Sequence, residues 1–259
     1  MSAAIAGNVV VVTGGAGRIG RAFCAAIARE GGTAVIADTD TLGASRLAAE
    51  LCSLHGSAAA TVAGFDITCA DQIDAAIVDL HTRFGRIDSV VNNAYPRNGR
   101  YGARVEDVNY ADFIDNISRH IGGYFTTAQR FAAYFGRQGH GNIIFMGSIY
   151  GVVAPRFDVY TGTQMTMPVE YSVVKSGLLH LTRYLAQYYK SLGIRVNALS
   201  PGGVFADQPA EFVRRYSAHA KGGQMLQAED LAGSLIYLLS DASAHVNGQN
   251  LVVDDGWTL

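Results

Sequence analysis

Short β-branched runs alternate with longer amphipathic stretches from one end of this chain to the other, and no feature of the sequence constrains its fold more. A valine run at 9–12 leads into a helical pattern at 18–30, the run at 33–37 into 42–55, and that at 58–65 into 71–84. The alternation resumes with 89–91, one long helix within 110–135, then 142–146, a helix over 170–189, 195–199, a helix near 229–239, and 251–253. Strands joined through helices pair in parallel with right-handed crossovers, and the helices then cover both faces of the sheet. The expectation is α/β: one doubly wound, Rossmann-type domain over residues 1–259 with a seven-stranded parallel sheet. Such folds bind ligands outside the carboxyl ends of the strands. Three segments that follow strand ends, at about 94–105, 151–168 and 202–225, lack a regular period and are expected to be substrate loops.

Composition removes several classes of function. Twenty basic against 22 acidic residues leave a net charge of −2, which argues against a nucleic-acid partner. With 49% hydrophobic and only 16% charged residues the chain can bury a large core. No run approaches the roughly 18 apolar residues of a membrane span, and the first residues lack a basic region ahead of an apolar one. Cys24, Cys52 and Cys69 are odd in number and show neither CxxC nor Cys/His spacing, so neither disulfides nor a metal site is expected. A reducing cytoplasm fits them best.

The first strand runs into Thr13-Gly14-Gly15-Ala16-Gly17-Arg18-Ile19-Gly20 and then directly into a helix. Glycines there permit a tight turn and close approach of a diphosphate, while the helix N-terminus offers N–H groups and positive potential. A plain strand-to-helix turn is the alternative. Asp38 closes the second strand, where a carboxylate can accept hydrogen bonds from ribose hydroxyls and repels a 2′-phosphate. That favours NAD over NADP. A helix N-cap role for Asp38, shared with Thr39 or Asp40, is the competing reading, and an Arg18 guanidinium beside the ribose keeps NADP open. Further along, Tyr171 and Lys175 stand four residues apart on one helix face, where an ammonium would lower the phenol pKa toward that of a general acid/base. In isolation such a pair is more often an exposed amphipathic one.

Taken with Asn92-Asn93-Ala94, Ser148, Tyr171-Ser172-Val173-Val174-Lys175, Pro201-Gly202 and Asp254-Asp255-Gly256, the glycine turn makes the chain resemble the short-chain dehydrogenase/reductase family over nearly its whole length. The resemblance implies that Tyr171 exchanges the proton of an alcohol or ketone while Ser148 holds the substrate oxygen. It implies that Asp66 and Ile67 lie near the adenine and Asn92 and Ala94 near its ribose. Lys175 would also hold the nicotinamide ribose, with Pro201, Gly202 and Val204 beside the nicotinamide end. It further implies a homodimer or homotetramer in which two long helices of each subunit meet across a twofold axis.

The sequence departs from that family at several points. His120 stands where an asparagine usually holds a water of the proton relay; it would hold that water, relay a proton itself, or simply pack in its helix. Arg18 replaces a glycine of the turn, Tyr95 replaces a glycine after Asn93-Ala94, and Ala206 replaces a threonine. Arg97, Arg100, Arg104 and Arg156 occupy the two loops that border the crevice, and guanidinium forks suit carboxylate and phosphate. They are read either as solvated loop residues or as contacts to an anionic substrate, with Tyr95 and Tyr150 beside Arg97 and Arg156. The segments around Tyr95-Pro96-Arg97, Ser148-Ile149-Tyr150 and Met167-Pro168-Val169-Glu170 are similar to a subgroup acting in bacterial legionaminic-acid and flagellin-glycosylation pathways. That subgroup implies NAD-dependent oxidation or reduction of an anionic or nucleotide-activated sugar. A reductase of 3-oxoacyl thioesters and a non-catalytic dinucleotide sensor are the alternatives.

Overall fold

The computed structural model describes residues 4–259. Seven strands, β1 (Val9–Thr13), β2 (Thr33–Ala37), β3 (Ala60–Ala63), β4 (Ser89–Asn92), β5 (Gly141–Met146), β6 (Ile194–Pro201) and β7 (Asn250–Val253), form one sheet. Their order is β3-β2-β1-β4-β5-β6-β7 and every pairing is parallel. The chain reverses its direction of winding between β1 and β4, which opens a crevice at their carboxyl ends.

Side chains alternate across each strand, so Val9 and Val11 of β1 join one buried layer and Val10 and Val12 the other. The first layer is closed by α3 (Ala70–Phe84), α5 (Gly123–Gln138) and α6 (Val169–Tyr189) through residues such as Ile77, Phe131 and Leu178. The second is closed by α1 (Arg18–Arg29), α2 (Thr41–His55) and α8 (Ala232–Leu239) through Phe23, Leu47 and Leu235. Two buried faces explain why the strands read as continuous apolar runs. No helix among the described residues is long and apolar enough to cross a membrane.

The structure corrects three boundaries. The long helix expected over 110–135 is α4 (Tyr110–Ile117) and α5, joined by a π turn at Ser118–Gly122. The π turn carries His120, which is 2% exposed, and it coincides with Gly122-Gly123, where a Cβ on Gly123 would lie 2.7 Å from Ile67 Cδ1. β3 is half the length expected at 58–65, because its only partner, β2, offers the register Ala34–Ala37. The segment expected as a loop at 202–225 contains α7 (Ala210–Ser217), which packs Phe212 and Tyr216 into a third apolar cluster with Tyr150, Tyr160, Met225 and Trp257. That cluster stands over the carboxyl ends of the strands and forms the wall of the site.

Candidate active site

Two cavities meet at the carboxyl end of the sheet. The larger, about 740 Å³, runs from Gly14, Gly17 and Arg18 past Asp38 to Asp66 and Ile67. Its floor is built by glycine. Gly14 adopts φ +62°, and a Cβ there would lie 2.8 Å from Ala94 Cα; a Cβ on Gly20 would collide with the Gly14 carbonyl oxygen and come 2.7 Å from Gly15 Cα. The turn therefore stays flat against β4, and α1 starts at Gly17 with no side chain capping its first N–H groups. Uncapped N–H groups at a helix start are donors for an anion. Asn93 and Thr13 lock the turn: the Thr13 hydroxyl accepts from the backbone N–H groups of Asn93 (2.9 Å) and Ala94 (3.1 Å), and Asn93 Nδ2 donates to the Thr13 and Gly14 carbonyls at 3.0 and 3.1 Å.

Asp38 sits at the other end of this floor. Its Oδ2 accepts from the Ala16 N–H at 3.0 Å and its Oδ1 from the Asp40 N–H at 3.0 Å. The N-cap of α2 is Asp40, which accepts from the Gly43 N–H at 2.9 Å, so the capping role does not fall to Asp38. Each Asp38 oxygen keeps spare acceptor capacity beyond these bonds, and the residue lines the cavity. The donors, the glycine floor and this carboxylate together fit a dinucleotide. Arg18 lines the same cavity, but Nη2 pairs with Asp207 Oδ2 at 3.1 Å and Nη1 donates to the Phe205 carbonyl at 3.4 Å. Asp66 and Ile67 line it as well, Asp66 also accepting from the Thr68 N–H and hydroxyl at 2.8 Å.

The smaller cavity, about 350 Å³, adjoins the first at Ile19, Tyr95 and Val204 and is faced by Ser148, Tyr171, Pro201 and Gly202. Ser148 Oγ accepts from the Tyr150 N–H at 3.1 Å. Burial pushes the Tyr171 phenol above its ordinary value, and the hydrogen bond with Ser148 pulls it partly back. Burial, rather than the Lys175 charge, thus sets the direction of the shift, opposite to the expected lowering. Lys175 lies beneath, 4% exposed, its Nζ 5.4 Å from the Tyr171 ring centre and donating to the Met146 carbonyl at 2.6 Å. Burial lowers its pKa to about 7. Nζ also lies 3.5 Å from His120 Nε2, within hydrogen-bonding distance. Burial first, and the Lys175 charge second, hold His120 well below its usual pKa, so the imidazole is neutral. Tyr95 closes this group from above, its ring edge-on to His120 (4.9 Å) and Tyr171 (5.7 Å).

Several residues fall elsewhere than expected. Asn92 is fully buried, with neither amide atom hydrogen-bonded, and it is Asn93 that lines the larger cavity. Asn92 ends β4 pointing into the sheet core, because alternation along the strand turns its neighbour outward. Gly20 shapes the turn without lining the cavity. Of the loop arginines, only Arg97 borders a cavity, the larger one, with its guanidinium 5.0 Å from the Tyr95 ring centre. Arg100 pairs with Asp112 at 3.6 Å and Arg104 is exposed. Arg156 lies over Trp257 at 5.3 Å, outside the smaller cavity that Tyr150 lines. Sequence reasoning missed Phe212, Tyr216 and Met225, which wall that cavity, and Trp257 stacked behind Tyr216 at 4.9 Å. The apolar residues at 212, 213 and 216 carried the signal in a segment otherwise polar enough to read as loop.

A phenol and a hydroxyl facing a cavity, with a buried lysine behind them and a dinucleotide-sized crevice alongside, define an oxidoreductase that works on CH–OH groups with a nicotinamide cofactor. The comparisons with known proteins agree. Residues 14–258 match the family model described as enoyl-(acyl carrier protein) reductase. The chain is 37% identical over 253 residues to post-translational flagellin modification protein A of Campylobacter coli, covering 97% of this chain and 98% of that one. A gluconate 5-dehydrogenase from Burkholderia cenocepacia, solved with NADP and tartrate, superposes with a TM-score of 0.87 at 28% identity, covering 99% of this chain and 97% of the other. A short-chain dehydrogenase from Leptospira borgpetersenii with bound NAD+ gives 0.85 at 28% identity, covering 100% and 95%. This protein belongs to the short-chain dehydrogenase/reductase family.

Proposed function

We propose that the protein is an NAD-dependent oxidoreductase that interconverts a secondary alcohol and a ketone on an anionic or nucleotide-activated sugar, in a pathway of the legionaminic-acid or flagellin-glycosylation type. The observation that carries this reading is the position of Ser148 and Tyr171 at the junction of the smaller cavity with a crevice whose far end carries Asp38. The similarity to a flagellin modification protein supports the sugar pathway.

In the proposed mechanism the Gly14–Gly20 turn, Asp38 and Val204 would hold a dinucleotide, which when bound would supply the hydride acceptor or donor. Ser148 Oγ accepts from the Tyr150 N–H, and its hydroxyl turns to donate to the substrate oxygen. Tyr171, entering as phenolate, takes the hydroxyl proton as the C–H hydride leaves, and as phenol returns it to the oxygen in the reverse direction. Lys175, its Nζ 5.4 Å from the Tyr171 ring centre, favours that phenolate through its charge, and His120 Nε2 lies 3.5 Å from Nζ in the place of a water-holding amide.

Asp38 sets an expected result for the cofactor. Fluorescence titration with the two reduced dinucleotides should show NADH bound at least tenfold more tightly than NADPH, one charged hydrogen bond lost being worth roughly that factor. Asp38→Ala should narrow the gap, whereas equal or tighter NADPH binding in the wild type overturns the assignment and moves it to Arg18. A second reading, reduction of a 3-oxoacyl thioester, is favoured by the apolar lining of the smaller cavity. Turnover of acyl thioesters with no turnover of any sugar would establish it instead.

Self-association follows from a surface feature. The outer faces of α5 and α6 expose Phe125, Val173, Tyr184 and Tyr188, the last 66% exposed. Apolar side chains gathered on two adjacent helices suit an isologous interface. Light scattering at micromolar concentration should therefore give the mass of a homodimer or homotetramer, and a monomer there refutes it. Three free cysteines suit a cytoplasmic location.

A further inference from the structure

Among the described residues, no ionisable acid or base other than phenols lines the smaller cavity: no Asp, Glu, Lys, Arg or His faces it. Met165, Met167, Met225 and Phe212 supply much of its surface. Thioether side chains are flexible and polarisable, and mould around methyl and acyl groups rather than solvating hydroxyls. The polar groups present are few and largely committed to each other. The Tyr160 hydroxyl donates to that of Tyr150 at 3.2 Å, and the Tyr216 hydroxyl accepts from the Gly203 N–H. Gln208 donates to the Val204 carbonyl at 3.0 Å and accepts from the Ala206 N–H at 2.7 Å.

Burial pushes the Tyr160 phenol up to about 12 and those of Tyr150 and Tyr216 higher still, so all three stay neutral. Positive charge is kept out on both sides. Arg97 lies across the Tyr95 ring, on the side of the larger cavity, and Arg156 is separated from the smaller one by Trp257, which stacks behind Tyr216 and meets Tyr150 edge-on at 5.8 Å. A charge carried into such a lining loses its water and finds no counter-charge.

We propose, resting on the sugar-oxidoreductase reading, that the part of the substrate entering the smaller cavity is an uncharged ring bearing methyl or acyl substituents, with any charged group left outside on the Arg97 side of Tyr95. Tyr95 is then a specificity wall between the two regions. The free O–H hydrogens of Tyr150 and Tyr216 serve one or two acceptor atoms of the ring substituents, and the thioethers take the methyl groups.

The test compares kcat/KM for NAD-linked oxidation across three sets of sugars matched at their ring hydroxyl stereochemistry: 6-deoxy N-acetyl hexosamines, fully hydroxylated hexoses, and hexuronic acids. The deoxy N-acetyl set should lead the hydroxylated set by at least about tenfold and the uronic acids by about a hundredfold, one and two hydrogen-bonding or desolvation penalties respectively. Met165→Gln, at a partly exposed position, should shrink the first ratio to about threefold or less by offering the hydroxyls a partner; Met225→Gln repeats the test at a buried position. Hydroxylated sugars or uronic acids matching the deoxy N-acetyl set overturn the inference and leave the sugar reading standing. Reduction of acyl thioesters with no sugar turned over removes both.

Discussion

Tyr171→Phe should lower turnover by about 10²–10⁴-fold while leaving NADH affinity within about twofold of the wild type, because only the exchangeable proton is deleted. The ring itself has no reason to move. It packs edge-on to Tyr95 at 5.7 Å and lies 5.4 Å from Lys175 Nζ, and neither contact involves the hydroxyl. Ser148 loses its hydrogen-bonding neighbour but keeps the bond from the Tyr150 N–H, so the substrate oxygen still has a donor. The nearby phenols cannot substitute: Tyr150 and Tyr160 are hydrogen-bonded to one another and held at high pKa by burial. Steady-state rates and a fluorescence titration on the same preparation check the expectation. A variant that keeps more than about a tenth of its activity, short of the range for general acid/base groups, would show that the proton travels by another route.

Lys175→Met should cut turnover comparably and, in the dinucleotide-free protein, raise stability. The reason lies in the cost of keeping an ammonium in the core. The pKa falls from the ordinary value of 10.5 to about 7 on burial. At neutral pH that shift corresponds to a penalty on the order of 4 kcal/mol, as an upper bound. Methionine fills a similar volume without it. Against this gain stands the Met146 carbonyl, which loses the donor at 2.6 Å and costs about 1–3 kcal/mol as an unpaired buried acceptor. The balance favours the variant by roughly 1–3 kcal/mol near pH 7. The sign of the pH dependence follows from the depressed pKa. Below about 7 the lysine is charged in both states and the full penalty applies. Between about 7 and 10.5 the unfolded chain binds the proton and the folded one does not, so wild-type stability rises with pH. The advantage of Lys175→Met should therefore fade as thermal unfolding is followed from pH 7 to pH 10. A variant less stable than wild type at pH 7, or a difference that does not change with pH, would mean that Lys175 is not held against its own charge.

Both expectations connect to how the site is assembled. Tyr171 and Lys175 share a helix face through their spacing alone, yet what Lys175 faces is decided by other elements. Met146 comes from the end of β5, His120 from the π turn before α5, and Tyr124 from α5. None of these is within 20 residues of Lys175 in the chain. The same holds for the loop arginines, whose charge was legible but whose direction was not. Arg100 turned to Asp112 and Arg156 to Trp257, partners that local sequence does not announce. The aromatic wall shows the opposite case. Phe212 and Tyr216 looked like loop residues until α7 folded against Trp257 from the carboxyl terminus.

By itself the sequence determined the α/β alternation, the sheet's parallel sense, the glycine turn, and the shared helix face of Tyr171 and Lys175 with Asp38 at the end of β2, while Ser148 entered only through the family resemblance. The former rest on periodicity, turn chemistry and spacing, which act between near neighbours and so are written locally. Only the tertiary structure decided that Asn93 rather than Asn92 borders the crevice, that a π turn brings His120 within 3.5 Å of Lys175, and that the smaller cavity carries no charge. It also decided that burial raises the Tyr171 phenol rather than letting Lys175 lower it. Burial, cavity lining and the balance between desolvation and charge depend on segments distant in the chain, and they acquire a value only once the sheet, the helices and the carboxyl-terminal lobe have closed around one point.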